Sequence, residues 1–174
     1  MARRFRSTYH QKVDAKGRVS VPASFRRVIE DGDPDWSAGQ RPNFIIVFGL
    51  KFQKRLDCFT LNAMETIDAS IDAMAPGSPE RKKLERVYHA HSIEAQIDED
   101  GRIILPQSLR DKLDLIADEK ARFVGMNDHF QVWKNETYEG LYGTDDESDE
   151  DEDLAPDFDM RVLFSSANRP SGEA

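Results

Sequence analysis

Cysteine is almost absent: Cys58 is the only one in 174 residues. A single thiol excludes an internal disulfide framework and any zinc site built from several cysteines, and it suits a reducing compartment. Long apolar runs are missing as well. No stretch approaches the roughly 20 apolar residues of a membrane-spanning helix. The opening residues Met1-Ala2-Arg3-Arg4-Phe5-Arg6 are basic but lead into no apolar segment of the kind a secretion signal carries. A cytoplasmic location with no membrane partner is therefore expected. The fingerprints of nucleotide-dependent and hydrolytic chemistry are also missing: there is no P-loop, no GxSxG elbow and no dinucleotide-binding glycine pattern. His89-Ala90-His91 offers two ligand-type side chains, but the region is predicted helical, where positions i and i+2 diverge, and no third ligand is evident. Cys58 falls in an apolar strand and reads as a packing residue. No enzyme activity, metal, cofactor or small-molecule substrate is expected.

Bases are outnumbered, 24 against 33 acids, for a net charge of −9. That average looks wrong for a nucleic-acid binder, but the charge is unevenly placed. Twelve of the acids lie from Glu139 onward, eight of them in Asp145–Asp153, opposed only by Arg161 and Arg169. Residues 1–138 keep 21 acids and 22 bases, a net of +1, and residues 1–30 hold eight bases against Asp14 and Glu30, a net of +6. A phosphate backbone responds to the local field and not to the average sign of the chain.

What the sequence does have is an internal repeat. Val13-Asp14-Ala15-Lys16-Gly17-Arg18-Val19-Ser20-Val21-Pro22-Ala23-Ser24-Phe25-Arg26 returns, at a constant offset of 84, as Ile97-Asp98-Glu99-Asp100-Gly101-Arg102-Ile103-Ile104-Leu105-Pro106-Gln107-Ser108-Leu109-Arg110. Asp, Gly, Arg, Pro, Ser and Arg are identical, and the apolar positions match in kind. Each copy predicts a strand (Tyr9–Val13, Ile93–Ile97), a tight turn in which Gly17 or Gly101 supplies a positive φ, and a second strand (Arg18–Val21, Arg102–Leu105). Pro22 or Pro106 then opens a short helix. A further strand pair follows in each half: Asn43–Phe48 with Arg55–Leu61, and Arg122–Met126 with His129–Trp133 around Asn127-Asp128. Between the halves a helical hairpin is predicted. Asn62 caps its first helix with Glu65 placed for a capping box, and Ser78-Pro79 starts the second. It serves either as a packing connector or as a subunit contact. The expected fold is α+β, mainly β: a pseudo-two-fold duplicated β-barrel with short helices, because a unit of about 45 residues is marginal alone. The expected division is 7–61 for the first repeat, 62–91 for the helical connector, 92–138 for the second repeat and 139–174 for an acidic, disordered tail.

The Asp-x-x-x-Arg signature, present twice and followed each time by apolar-Pro-x-x-(Phe/Leu)-Arg, resembles the MraZ family. So does Val124-Gly125-Met126-Asn127-Asp128-His129-Phe130-Gln131-Val132-Trp133, and the resemblance covers roughly residues 5–138. It implies swapped-hairpin domains of the AbrB-like group. It further implies a bacterial, nucleoid-associated transcriptional regulator, acting on the promoter of the division and cell-wall gene cluster through short repeated boxes of double-stranded DNA. It also implies a ring-shaped homo-oligomer. Repression is the expected outcome of occupying a promoter. The sequence departs from the pattern where Asp100 stands in place of Lys16, which predicts weaker phosphate contact through the second copy. The acidic tail is also an extension beyond the repeated core.

Arg18 and Arg102 sit just after the turns, where a guanidinium fork can reach guanine edges or phosphates. The competing reading is a salt bridge with Asp14 or Asp98 that only fixes the turn. Lys16 suits backbone phosphate as a point charge. Arg3, Arg4, Arg6 and Lys12, with His10, form a basic arm and first strand that are expected to join it. Asp14, Gly17, Asp98 and Gly101 are expected to be structural, as are Arg26 and its counterpart Arg110. The tail is either a solvating segment or a competitor for the basic face, and Phe158–Phe164 within it is a candidate docking segment. The rival function is a protein-interaction barrel, antitoxin-like or substrate-recognising, whose arginines grip an acidic partner.

Overall fold

The computed structural model describes residues 3–144 and 155–167. Met1, Ala2, residues 145–154 and residues 168–174 lie outside the described residues, and with them the acidic run Asp145–Asp153. The chain divides into two compact units, Met1–Leu141 and Tyr142–Ala174.

The repeat is present in the backbone at the same offset. β1 (Thr8–Lys12) corresponds to β5 (Ser92–Gln96), and β2 (Arg18–Ser20) to β6 (Arg102–Ile104). α1 (Ala23–Asp31) corresponds to α4 (Gln107–Leu113). Each helix starts directly after its proline, whose fixed φ suits a helix entrance and whose missing N–H costs nothing there. β3 (Asn43–Val47) and β4 (Arg55–Thr60) complete the first half, β7 (Lys120–Met126) and β8 (His129–Lys134) the second. β7 and β8 are joined by Asn127-Asp128 alone, with Asn127 at φ 71°, as a two-residue hairpin requires.

Strand pairing crosses between the halves. Six strands form one antiparallel sheet in the order β1-β7-β8-β4-β3-β5, and β2 pairs with β6 in a separate two-stranded ribbon. The first strand of each half thus lies on the other half's hairpin: β1 on β7, β5 on β3. The Asp14–Gly17 and Asp98–Gly101 turns each lead from a strand of the large sheet into the ribbon. Where a β-barrel was expected, the strands make an open sheet plus a ribbon, with β1 and β5 as edges. The reason is the sharpness of the Asp-anchored turn, which sends β2 and β6 out of the line of β1 and β5.

Inward residues of sheet, ribbon and α1/α4 form one core. Val13, Val19, Phe25, Phe44, Leu56, Cys58, Ile97, Ile103, Leu105, Leu113, Phe123 and Phe130 are buried in it. Each such large side chain contributes roughly 1.5–3 kcal/mol relative to exposure. Burial pushes the Cys58 thiol well above its ordinary range, with Asp57 adding to the shift, so it packs as a small hydrophobe.

The connector comprises α2 (Leu61–Asp72), α3 (Pro79–Glu85) and a π-helical turn, Arg86–Ala90. Met64, Ile67, Val87 and Tyr88 pack against Val47 and Phe59 on the outer face of the sheet. Its cap is Thr60, not Asn62: Ala63 N–H donates to Thr60 Oγ1 at 3.1 Å. β4 runs straight into the helix, so its last residue is already extended where the cap is needed, and Glu65 stands too far along for a capping box. Ser78 caps α3 by accepting from the Arg81 N–H. Residues 139–142, expected in the tail, complete α5 (Asn135–Tyr142). In the second unit, α6 (Val162–Ala167) leaves Val162, Leu163 and Phe164 exposed, and Arg161 forks onto Asp159.

Candidate nucleic-acid interface

The ribbon carries the motif arginines. In its register Arg18 faces Ile104, Val19 faces Ile103 and Ser20 faces Arg102. Residues two apart on a strand, and residues directly opposite across a pair, share a face. Arg18, Ser20, Arg102 and Ile104 therefore form one face, and buried Val19 and Ile103 the other. The two arginines stand on a diagonal, about 7–8 Å apart at the backbone. Ile104, 63 % exposed, lies between them.

Each turn is built from its aspartate. Asp14 Oδ1 accepts from the Lys16 N–H at 2.9 Å and the Arg18 N–H at 2.8 Å, and the Gly17 N–H donates to the Asp14 carbonyl at 3.0 Å. Asp98 repeats the pattern with Asp100 and Arg102, both at 2.9 Å. The backbone N–H of Arg18 holds the Asp14 carboxyl below its usual range, and that of Arg102 does the same for Asp98.

Gly17 and Gly101 adopt φ +82° and +75°. They also make room for the opposite half. A Cβ on Gly17 would strike the Leu105 carbonyl and the Arg110 guanidinium; one on Gly101 would strike the Arg26 guanidinium. Arg110 Nε donates to the Leu105 carbonyl at 3.0 Å. Leu105 N–H donates to the Gly17 carbonyl at 2.8 Å, and Val21 N–H to that of Gly101 at 2.9 Å. The ribbon is thus held at both ends by reciprocal contacts, and Arg26 and Arg110 each lie against the other half's turn.

The two arginines are not equivalent. Arg18 Nε donates to Asp14 Oδ2 at 2.6 Å. Its two terminal nitrogens carry no hydrogen bond among the described residues, and the side chain is 37 % exposed. Arg102 instead turns a terminal nitrogen onto Asp100 Oδ2 at 3.0 Å, while its buried Nε sits 3.8 Å from Asp98, beyond hydrogen-bond reach. Asp100, which replaces Lys16 in the repeat, engages one terminal nitrogen of the arginine. Beside it Glu99 accepts from Nε and one terminal nitrogen of Arg41, which lowers the Glu99 carboxyl below its ordinary range. The first turn, with exposed Lys12 and Lys16, is basic; the second is neutralised by its own acids.

The basic arm does not join this cluster. Phe5 is buried on Phe25 and Phe130, with ring centroids 5.3 and 5.1 Å away. Its backbone pairs with Asn127, continuing the line of β1 along β7. At about 3.3 Å per strand residue, Arg3, Arg4 and Arg6 lie roughly 20 Å or more from the turn, and Arg3 is paired with Asp31 at 2.8 Å. Closeness in sequence misled here; the apolar Phe5 among arginines was the sign of a tethered segment. The role of Arg110 as a cross-half contact had a signal in its recurrence with Arg26, but not its target. His89 bonds Asp68 and His91 bonds the Gly49 carbonyl, so the two histidines diverge to separate partners. No helix among the described residues is long and apolar enough to cross a membrane.

Comparison with known proteins adds a decisive observation. A protein of Ruegeria sp. (strain TM1040) named Transcriptional regulator MraZ is 48 % identical over 167 residues, 96 % of this chain and 98 % of the relative. This chain belongs to the MraZ family. A second MraZ relative, from Ruegeria pomeroyi, is 47 % identical over 96 % of this chain and 98 % of its own length. One from Parvibaculum lavamentivorans is 38 % identical over 77 % and 78 %. The family described as "MraZ protein, putative antitoxin-like" matches residues 89–160, the second repeat and part of the acidic region after it. The match to the Ruegeria MraZ proteins runs well past residue 138, so most of the acidic tail region falls within it.

Proposed function

We propose that the chain is a sequence-specific, double-stranded-DNA-binding transcriptional regulator that reads DNA with the outward face of the β2–β6 ribbon. The observation that carries this reading is the polarised ribbon face: among the described residues the two terminal nitrogens of Arg18 carry no hydrogen bond, and Lys12 and Lys16, close in sequence, are exposed. A two-stranded ribbon is of a size the major groove admits. A half-occupied guanidinium can still offer two parallel donors to a guanine edge or a phosphate. Arg18 and Lys16 lead; Arg102 follows, restrained by Asp100. Arg3, Arg4 and Arg6 contribute at most to the general field from a distance. Asp14, Asp98, Gly17 and Gly101 build the turns. The pseudo-two-fold arrangement is a pair of AbrB-like swapped-hairpin units, 7–61 and 92–138, joined by the connector 62–91.

One ribbon binds modestly on its own. Copies joined in a ring engage neighbouring promoter boxes together, and the linked sites supply tightness. The proposed target is the promoter of the division and cell-wall cluster, with repression by excluding polymerase and a cytoplasmic, nucleoid-associated location; relatives named transcriptional regulators support this reading. The test is footprinting of the purified chain on the DNA upstream of its own gene against a scrambled duplex. Protection confined to short repeated boxes supports the reading. Equal, weak protection of both duplexes refutes it and leaves the protein-interaction reading, in which the arginines hold an acidic partner.

A further inference from the structure

At one place one half is filled and the other is not. The Gly125 N–H donates to the Ser7 carbonyl and the Phe48 N–H to the His91 carbonyl, both at 2.9 Å; Ser7 and His91 are 84 residues apart, and the registers Thr8–Val124 and Ser92–Val47 make these the same contact. Beyond Ser7 the chain continues along the sheet and lays the Phe5 ring on Phe25. Tyr9 adds a second ring on Phe25 and bonds Ser24 at 3.0 Å. Beyond His91 the chain instead turns away into the π-helical turn Arg86–Ala90. Ile93 and Leu109 stand where Tyr9 and Phe25 stand, and both are smaller. A cleft of about 630 Å³ remains there, floored by Phe48, Ile93, Pro106 and Leu109, within the range of ligand-sized clefts.

Its rim is basic. Lys51, Lys54 and Lys112 line it with His91. Lys112 donates to the Leu50 carbonyl at 2.7 Å, and Lys54 reaches exposed Asp114 only at 3.5 Å. Burial, with Lys54 and Arg55 close by, depresses the Lys112 ammonium below its ordinary range. Apolar floor, missing ring and crowded cations together specify the occupant: an acidic segment with an exposed aromatic side chain. The chain contains one. Asp157 and Asp159, the second of them also held by Arg161, precede Val162-Leu163-Phe164, where Phe164 is 69 % exposed, and the acidic run Asp145–Asp153 lies upstream.

We propose that this cleft docks the segment Asp157–Phe164 of a second copy of the chain, with the Phe164 ring on Leu109 and Phe48 and the acids on the lysine rim. The contact is head-to-tail: donor segment and acceptor cleft are different surfaces, so each copy can give one and receive one, which builds rings or open chains. This surface is separate from the ribbon face and does not depend on the DNA reading.

The test is sedimentation velocity of the full-length chain across a concentration series. Phe164→Ala and the cleft-filling Ser108→Trp should each weaken self-association by about tenfold or more, as loss of a central aromatic anchor does, with circular dichroism unchanged. Because Ser108→Trp can also disturb α4, a charge exchange accompanies it. Lys51→Glu with Lys54→Glu should weaken association, Asp157→Lys with Asp159→Lys likewise, and mixing the two doubly substituted proteins should restore association. Sedimentation of Phe164→Ala identical to wild type, or failure of the exchanged pair to recover, would overturn the proposal. Retained binding of a single-box DNA by these variants would keep the test apart from the ribbon reading.

Discussion

Replacing Gly17 by alanine should cost about 3 kcal/mol of stability. Holding an L-residue at φ +82° costs roughly 1–2 kcal/mol. The added methyl also meets the Leu105 carbonyl, a backbone group that cannot rotate aside, so the Leu105–Gly17 hydrogen bond at the end of the ribbon must stretch, adding about 0.5–1.5 kcal/mol. Gly39 is an internal control: φ is +90° and nothing lies within 4 Å of its added Cβ, so Gly39→Ala should show the backbone cost alone, about 1–2 kcal/mol. Gly101→Ala should fall between, because its obstacle is the flexible end of Arg26. Urea unfolding followed by tryptophan fluorescence gives the three values, and the melting temperature should fall by roughly 6–12 °C for Gly17→Ala. If Gly17→Ala costs no more than Gly39→Ala, the close crossing of the two halves at this turn is wrong.

Phe5→Ala should destabilise the fold by about 3–5 kcal/mol in the same assay, since it empties a buried aromatic site; a cost near zero would mean residues 3–6 are a free arm. Asp100→Lys should release Arg102, raise DNA affinity and steepen the salt dependence by about one to two phosphates, measured by anisotropy; unchanged affinity would show that the second turn stays off DNA. The carboxyls of Asp14 and Asp98 lie below their ordinary range when folded, so they contribute stability that is complete above the ordinary carboxylate range and is lost as pH falls through their lowered values. Acid unfolding should accordingly be less steep in Asp14→Asn with Asp98→Asn than in wild type, and an identical pH profile would contradict the turn assignment.

The repeat made the local structure legible. Gly17, Pro22 and the alternating apolar residues each fix a backbone feature within a few residues, so strands, turns and helix starts follow from the sequence. The β3–β4 and β7–β8 pairs were legible, but the partners of the motif strands were not, because nothing local in Tyr9–Val13 says that it lies on β7 and not on β2; that choice belongs to residues more than a hundred positions away. Arg18 could be chosen from sequence, but the difference from Arg102 needed coordinates: the Asp100 substitution was visible, while its closing onto the guanidinium was not. Thr60 displaced Asn62 as a cap because strand and helix are joined without a linker, which composition cannot reveal.

The most direct test of the ribbon reading is anisotropy of promoter DNA with wild type, Arg18→Ala and Arg102→Ala over a salt series. Arg18→Ala should cost about 1–3 kcal/mol and relax sequence preference, and Arg102→Ala should cost clearly less. Equal losses, or a larger one for Arg102, would contradict the unequal ribbon face. Binding indifferent to both arginines would contradict the ribbon as the DNA-reading surface altogether.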